Sequence, residues 1–231
     1  MNLFSRKTTP APQPGNIVNL VKTASVSLTK HGLNNERAAV YLVLDHSGSM
    51  VGHYASGDVQ RLAEQALGLS ANLDDDGNVP MIMFSSHASS PINLDLTNYA
   101  GVVEREHQRA NWGSTNYAAA LASIVHHYRQ SGATAPALVI FQTDGEPDSR
   151  AAAEQALRDA SRLPIFWAFV GFGGRVNFLE RLDTLGGRAV DNASFFHAAR
   201  PAQVSDTELY DGITREYAQW LTAARANHII P

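Results

Sequence analysis

Oxygen-bearing side chains occupy alternate positions just after an apolar segment of the chain. Asp45, Ser47 and Ser49 follow residues 38–44, which are all apolar, and Gly48 allows a tight turn between the two serines. Carboxylate and hydroxyl oxygens are the ligands that hard cations prefer in proteins. The same residues also suit a turn that caps the next helix, so this segment alone leaves both interpretations open.

Two further segments place oxygen ligands in similar positions. Thr115 lies in the sequence Gly-Ser-Thr-Asn, directly before an alanine-rich amphipathic stretch, and Asp144 follows a second strand pattern at 139–143. Long apolar runs are typical of strands buried on both faces of a parallel sheet. Ligands of open α/β sheets bind beyond the carboxyl ends of such strands. The three loops are therefore expected to form one site.

The combination of Asp-x-Ser-x-Ser, a distant threonine and a distant Thr-Asp-Gly resembles the metal-ion-dependent adhesion site of von Willebrand factor A domains. The resemblance covers about residues 36–225 and matches at five positions: Asp45, Ser47, Ser49, Thr115 and Asp144. It implies one divalent cation. Hydroxyl and carboxylate ligands suit Mg²⁺, Mn²⁺ or Ca²⁺, and Mg²⁺ is expected first because it keeps several waters and needs few carboxylates. The resemblance also implies an open position on the cation that accepts an Asp or Glu carboxylate from a protein partner.

A narrower resemblance concerns residues 51–60, which we interpret as a loop. Tyr54, Gly57 and the pair Val59-Gln60 make this segment similar to the A domains of bacterial tellurium-resistance proteins, a branch that is similar to the copine A domain. This resemblance implies a protein-interaction module in a bacterial stress-response system and a cytoplasmic location. One departure from the family pattern is His46, whose side chain should point away from Ser47 because neighbouring residues of an extended segment alternate in direction.

Three aromatic side chains are candidates for the rim of the site. His53 and Tyr54 follow the first ligand loop, and Trp112 precedes the loop of Thr115. A rim role would let them contact the residues beside the partner's carboxylate. A solvated loop for His53 and Tyr54, and core packing for Trp112, are the competing interpretations.

Composition limits the classes of protein to which the chain can belong. It has 231 residues, 44% of them apolar and 17% charged, which suits one large domain with a full core. The net charge is −4 and the basic residues are scattered, which argues against nucleic acid as a partner. The absence of cysteine excludes disulfides and thiolate metal sites and is consistent with a reducing cytoplasm. No apolar stretch is long enough to predict a membrane span or a signal peptide.

The order of sequence patterns predicts a single α/β domain. Residues 1–16 are rich in Pro and Thr and are predicted to form a flexible tail, and residues 17–231 the domain. Alternating strands and helices predict a doubly wound, mostly parallel central sheet flanked by helices, which is a Rossmann-like arrangement. One short antiparallel edge strand is predicted at 89–94. The other predicted strands are 38–45, 79–84, 137–143, 163–172 and 193–197, and the helices are 17–31, 59–73, 98–109, 116–129, 150–160, 178–185 and 207–226.

The alternative function is a metal-dependent hydrolase or phosphotransferase. A strand that ends in Asp also begins the phosphoryl-transfer sites of haloacid-dehalogenase-type enzymes, but those sites need a second acid where this chain has Ser47. The sequence has no Ser-His-Asp spacing and no phosphate loop with a lysine. It therefore favours a binding module without catalytic residues.

Overall fold

The computed structural model describes residues 14–74 and 76–231. In this part of the chain the strands are β1 (Ala39–Asp45), β2 (Val79–Phe84), β3 (Ile92–Leu94), β4 (Ala137–Thr143), β5 (Ile165–Phe172) and β6 (Ala193–Ala198). They form one sheet in the order β3-β2-β1-β4-β5-β6, in which only the β2–β3 pair is antiparallel. The doubly wound, mostly parallel sheet with an antiparallel edge strand is confirmed.

Helices cover both faces of the sheet. They are α1 (Pro14–Lys30), α2 (Val51–Ser56), α3 (Asp58–Leu73), α4 (Val102–His107), α5 (Tyr117–Ser131), α6 (Arg150–Ala160), α7 (Asn177–Asp183) and α8 (Asp206–Ala226). One apolar cluster joins the sheet to α1, α3 and α8, and a second joins its other face to α5, α6 and α7. No helix in the described residues is both long enough and apolar enough to cross a membrane.

The central strands are buried on both faces, which explains their continuous apolar sequences. Val40, Leu42 and Leu44 belong to the first cluster, whereas Tyr41 and Val43 belong to the second. Successive side chains of a strand point to opposite faces, so a strand between two helical layers needs apolar residues at every position. This packing fixes the positions at which β1 and β4 leave the sheet.

Several boundaries differ from those predicted: β3 begins at Ile92 and not at residue 89, β5 begins at Ile165 and not at residue 163, and three further differences concern the tail, the loop after β1 and α4. Residues 14–16 of the predicted tail form the first turn of α1, where a proline is well tolerated, and residues 1–13 lie outside the described residues. The predicted loop at 51–60 contains α2, which ends at Gly57 with a φ of 84°. The helix predicted at 98–109 is shorter, because the Asp95 side chain accepts the backbone N–H groups of Thr97 and Asn98 and holds a turn there.

Candidate metal centre

The sheet topology brings the three oxygen-bearing loops to one edge. Leu44 of β1 lies beside Gln142 of β4, so Asp45, the last residue of β1, and Asp144, the residue after β4, lie at the same end of the sheet. Ser47 forms an isolated parallel bridge with Gly113, which places the loop of Thr115 against the first ligand loop. The three segments meet beyond the carboxyl ends of the strands, as expected for a ligand site of an open α/β sheet.

Four of the five predicted ligands form a continuous chain of hydrogen bonds. The Ser47 backbone N–H donates to Asp45 Oδ1 at 2.7 Å, and the hydroxyl oxygens of Ser47 and Ser49 are 3.2 Å apart. The Ser49 hydroxyl donates to Asp144 Oδ1 at 2.7 Å. Side chains 95 residues apart in sequence are thus within hydrogen-bonding distance. Such proximity is what a shared cation site requires.

Asp148 holds the loop that contains Thr115. Its Oδ1 accepts the Thr115 backbone N–H at 2.9 Å, its Oδ2 accepts the Ser114 hydroxyl at 2.6 Å, and its own N–H donates to the Thr115 carbonyl at 2.9 Å. A side chain on Gly113 would lie 2.8 Å from the Ser85 hydroxyl oxygen, so glycine is needed for the loop to sit this close to β2. Thr115 is half-buried at the end of this clamped loop.

The helix-capping interpretation applies to one residue of these loops. The Asn116 side chain accepts the Ala119 backbone N–H at 3.1 Å and caps α5. Ser47 precedes a short 3₁₀ turn at Gly48–Met50, but its side chain makes no capping hydrogen bond there. Its hydroxyl faces Ser49 instead. The serine hydroxyls of the first loop are therefore directed into the shared cluster.

Asp45 is fully buried at the base of the cluster. Burial raises its pKa to about 6, and the nearby charge of Asp144 adds to the increase. Hydrogen bonds from Thr143 and Ser47 act in the opposite direction, and Thr143 donates to Oδ2 at 2.5 Å. A buried carboxylate is costly to ionise unless a positive charge compensates it. The electrostatics of Asp45 therefore favour a cation at this position.

The donor set fits a hard divalent ion. It contains two carboxylates and three hydroxyls, and oxygen ligands of this kind suit Mg²⁺, Mn²⁺ or Ca²⁺ and not soft metals. In residues 14–74 and 76–231 no group of three or more His, Cys, Asp or Glu side chains is arranged to hold a metal ion. A cation at this edge would consequently depend on the hydroxyls as well as on Asp45 and Asp144.

Trp112 is the most exposed of the three predicted rim residues. Its side chain is 39% exposed, and one face of the indole stacks on His46 with 4.0 Å between ring centroids. His46 is buried, and its Nε2 lies 2.9 Å from His107 Nδ1. As alternation predicts, the imidazole takes no part in the serine cluster. It supports the indole beside the candidate metal centre.

Tyr54 does not lie at the rim. Its side chain is buried, and its hydroxyl donates to the Asp45 carbonyl oxygen at 3.0 Å. The physical reason is α2, which turns Tyr54 towards the core beneath the first ligand loop. His53 is half-buried, with Nδ1 2.9 Å from Asp58 Oδ2 and its ring against Phe172, at the end of β5.

Sequence reasoning gave no role to Thr143 and left two open for Asp148, support of the site or the start of the next helix, without naming a partner for either residue. Both flank Asp144 within the segment 143–148, but their partners Asp45 and Thr115 are distant in sequence. The available signal was a threonine at the last position of a strand and an acidic residue soon after the motif. Neither pattern indicates which residue is the hydrogen-bond partner, because the partner lies on a loop that only the tertiary structure brings close.

The fold and the site geometry define the class of the protein, a von Willebrand factor A domain. Residues 37–230 match the family model described as "vWA found in TerF C terminus". The chain therefore belongs to the TerF-like branch of the von Willebrand factor A family. It is also 31% identical over 215 residues to the protein YcbR of Bacillus subtilis, a match that covers 90% of this chain and 88% of that protein.

Solved structures share the fold at low sequence identity. The manganese-loaded TRAP protein of Plasmodium vivax is 22% identical, with a TM-score of 0.52 over 77% of this chain and 74% of that chain. Proximal thread matrix protein 1 from the mussel byssus, in a structure with a zinc-occupied MIDAS motif, is 14% identical. It has a TM-score of 0.53 over 78% of this chain and 48% of that chain.

Proposed function

We propose that this domain is a metal-dependent protein-interaction module. Its ligand set would be Asp45, Ser47, Ser49, Thr115 and Asp144. The observation that carries the proposal is the hydrogen-bonded chain from Asp45 through both serines to Asp144. When bound, a divalent cation supplies an electrophilic centre for a carboxylate oxygen of a partner.

The metal ligands and the residues that hold them would have different roles. Asp45 and Asp144 provide negative charge, and the three hydroxyls provide neutral oxygens that leave the charge of the cation only partly balanced. Thr143, Tyr54 and Asp148 hold the ligand loops through the hydrogen bonds described above. Trp112 would contact the partner beside its Asp or Glu side chain.

Mg²⁺ is the cation we propose, with Mn²⁺ or Ca²⁺ as alternatives. Mg²⁺ retains several waters and needs few carboxylates from the protein, which suits a set of two carboxylates and three hydroxyls. Titration calorimetry should give one Mg²⁺ site per chain, and a competition series with Mn²⁺ and Ca²⁺ would rank the three ions. Asp144→Ala removes a charge that balances the cation, so unchanged affinity in that variant would refute the ligand set.

The interaction itself can be tested with Thr115→Ala. We expect partner proteins from the native host to be retained by the wild-type protein in Mg²⁺ but not in EDTA, and by the variant in neither condition. The variant should keep its circular dichroism spectrum, since Thr115 lies on a loop. Equal retention in all four samples would show that this edge is not the interaction surface.

We further propose that the module works in the cytoplasm, within a bacterial tellurium-resistance or stress-response system. The name of the matching family model and the absence of cysteine support this assignment. Deletion of the gene should increase sensitivity to tellurite, and the wild-type gene should restore resistance where Asp144→Ala does not. If the wild-type and the Asp144→Ala genes both restored resistance, the role in tellurite resistance would not depend on the metal centre.

We propose no catalytic role, and domains of this family are generally interaction modules. The competing hydrolase or phosphotransferase function predicts turnover that depends on the same cation. A panel of phosphate esters with added Mg²⁺ and Mn²⁺ distinguishes the two functions. Turnover that disappears in Asp45→Asn would favour the enzyme.

A further inference from the structure

The strand β6 leaves one edge of the sheet free in the described part of the chain. On its inner side, the Trp167 N–H donates to the Asn192 carbonyl at 2.9 Å, and the Gly173 N–H donates to the Ala198 carbonyl at 3.1 Å. Alternate residues of a strand direct their backbone groups to the same side, so the even-numbered residues face β5. The outward backbone groups belong to the odd-numbered residues Ala193, Phe195 and His197.

This edge lacks the features that usually prevent strand addition. Exposed edges are commonly protected by lysine, proline, inward-pointing charges or bulges. The sequence of β6 is Ala-Ser-Phe-Phe-His-Ala, which contains none of these residues. Phe195 and Phe196 are half-buried and His197 is exposed, so aromatic side chains flank the free backbone on both faces of the sheet.

An open cleft of about 620 Å³ lies beside β6 and the first part of α8. The Phe196 ring packs over Gly212, where any side chain would collide with it. The absence of a side chain at this position of α8 leaves room for the ring. Arg200 and Arg215 line the cleft and are exposed. Arg200 makes no side-chain ion pair or hydrogen bond with any described residue, and Arg215 lies 3.8 Å from its neighbour Glu216.

The two acidic residues that line the cleft already have hydrogen-bond or ion-pair partners. Glu208 forms the capping box of α8 with Ser205, and Asp211 forms an ion pair with Lys30 at 2.6 Å. Arg200 is therefore the cationic side chain of the cleft without a partner among the described residues, and Arg215 has only the loose pair with Glu216 at 3.8 Å, so both exposed guanidinium groups are accessible to a ligand. Guanidinium groups bind carboxylates through paired hydrogen bonds, so an acidic ligand is the complementary one.

We propose that the outer edge of β6 binds an extended acidic segment of a partner protein by strand addition. The backbone of the segment would pair with the outward groups of β6, and its carboxylates would bind Arg200 and Arg215. A second copy of this chain would bring its own Arg200 and Arg215 to the edge, where they would repel those already there, and is disfavoured. The surface is formed by β6 and α8 and is separate from the ligands of the metal centre.

The test uses a defined peptide in EDTA. A labelled, end-blocked peptide of about ten alternating Glu and Val residues is titrated with the full chain and followed by fluorescence anisotropy. A Lys–Val peptide of equal length is the control. We expect the acidic peptide to bind at least tenfold more tightly. Because EDTA removes divalent cations, the result does not depend on the proposed metal function.

Two variants locate the binding to β6. His197→Pro removes an outward N–H without breaking the pairing with β5, and His197→Thr is its matched control. We expect about a tenfold loss of peptide affinity for the proline variant, the effect of one hydrogen bond, and less than a twofold change for the threonine variant. The double variant Arg200→Gln with Arg215→Gln should lose about fivefold and no longer prefer the acidic peptide.

Several outcomes would overturn the proposal. They are equal binding of the two peptides, no binding of either at about 1 mM, or equal effects of the two His197 substitutions. Sedimentation that shows a wild-type dimer, dissociated by His197→Pro, would instead assign the edge to a second copy. If the proline variant does not fold, the double arginine variant is the test, and an unchanged preference for the acidic peptide in that variant would contradict the proposal.

Discussion

The buried carboxylate of Asp45 predicts that the candidate metal centre destabilises the protein when no cation is bound. Its pKa in the folded chain is about 6, compared with an ordinary value of 3.8. A difference of about two pKa units corresponds to about 3 kcal/mol between the charged and neutral forms. Asp45→Asn replaces the charged group by a neutral one, and its amide can still accept the Ser47 N–H. The Thr143 hydroxyl can then donate to the Gly145 carbonyl, 3.4 Å away.

We therefore expect Asp45→Asn to raise the free energy of unfolding in EDTA at pH 8 by about 2 kcal/mol, or the melting temperature by about 4–8 °C. The dependence on pH has a definite sign. A pKa raised in the folded state means that this state binds the proton more tightly. The contribution of Asp45 to the free energy of unfolding is therefore largest below about pH 4. It decreases as the pH rises to about 6 and is constant at higher pH. At pH 5 the advantage of the variant should be about half of its value at pH 8.

Urea unfolding followed by circular dichroism, at pH 5 and pH 8 in EDTA, measures both quantities. Asp144→Asn is the matched control, because Asp144 is only half-buried and its charge is better solvated. Mg²⁺ at about 100 times its dissociation constant should add about 2.7 kcal/mol to the wild type and little to either variant. The reasoning is refuted if Asp45→Asn is less stable than the wild type in EDTA at pH 8, or if the difference between them does not change with pH.

Three further predictions follow from the geometry. Asp148→Ala releases the Thr115 loop and should lower Mg²⁺ affinity about tenfold in calorimetry without unfolding the protein; full affinity would show that the clamp is unnecessary. The apo protein should melt cooperatively in EDTA because its core strands are apolar throughout; an unfolded apo protein would contradict this. Gly68→Ala places a methyl group 2.8 Å from Leu20 Cβ and 2.9 Å from the Tyr210 hydroxyl, so urea unfolding should show a loss of about 1–3 kcal/mol. Gly52→Ala, with open space around it, is the control and should lose none.

The strand pattern and the type of ligand could be predicted from the sequence because they depend on local order. Continuous apolar runs in β1 and β4 indicate strands between two helical layers, and polar residues directly after them indicate the ligand edge of the sheet. The motif at Asp45, Ser47 and Ser49 lies within one short segment, so its spacing is visible without a structure. These features gave the family and the architecture.

Short polar segments were harder to predict, because their conformation depends on single hydrogen bonds. The segment 51–56 has too few residues to show a helical period, and the structure makes it α2. That helix turns Tyr54 inward, against the prediction that it lies at the rim. The turn at Asp95 shortens α4 in the same way, through side-chain contacts with two backbone N–H groups.

Only the tertiary structure decided which distant residues support the site. Thr143 reaches Asp45, Asp148 holds Thr115, and Trp112 stacks on His46, yet no local pattern links the members of these pairs. Likewise, the place of β6 at the free edge follows from the strand order and not from a pattern within its own six residues. The reason is that sequence periodicity shows which face of its own helix or strand a residue lies on. The crossover connections and the strand register determine which other element packs against that face.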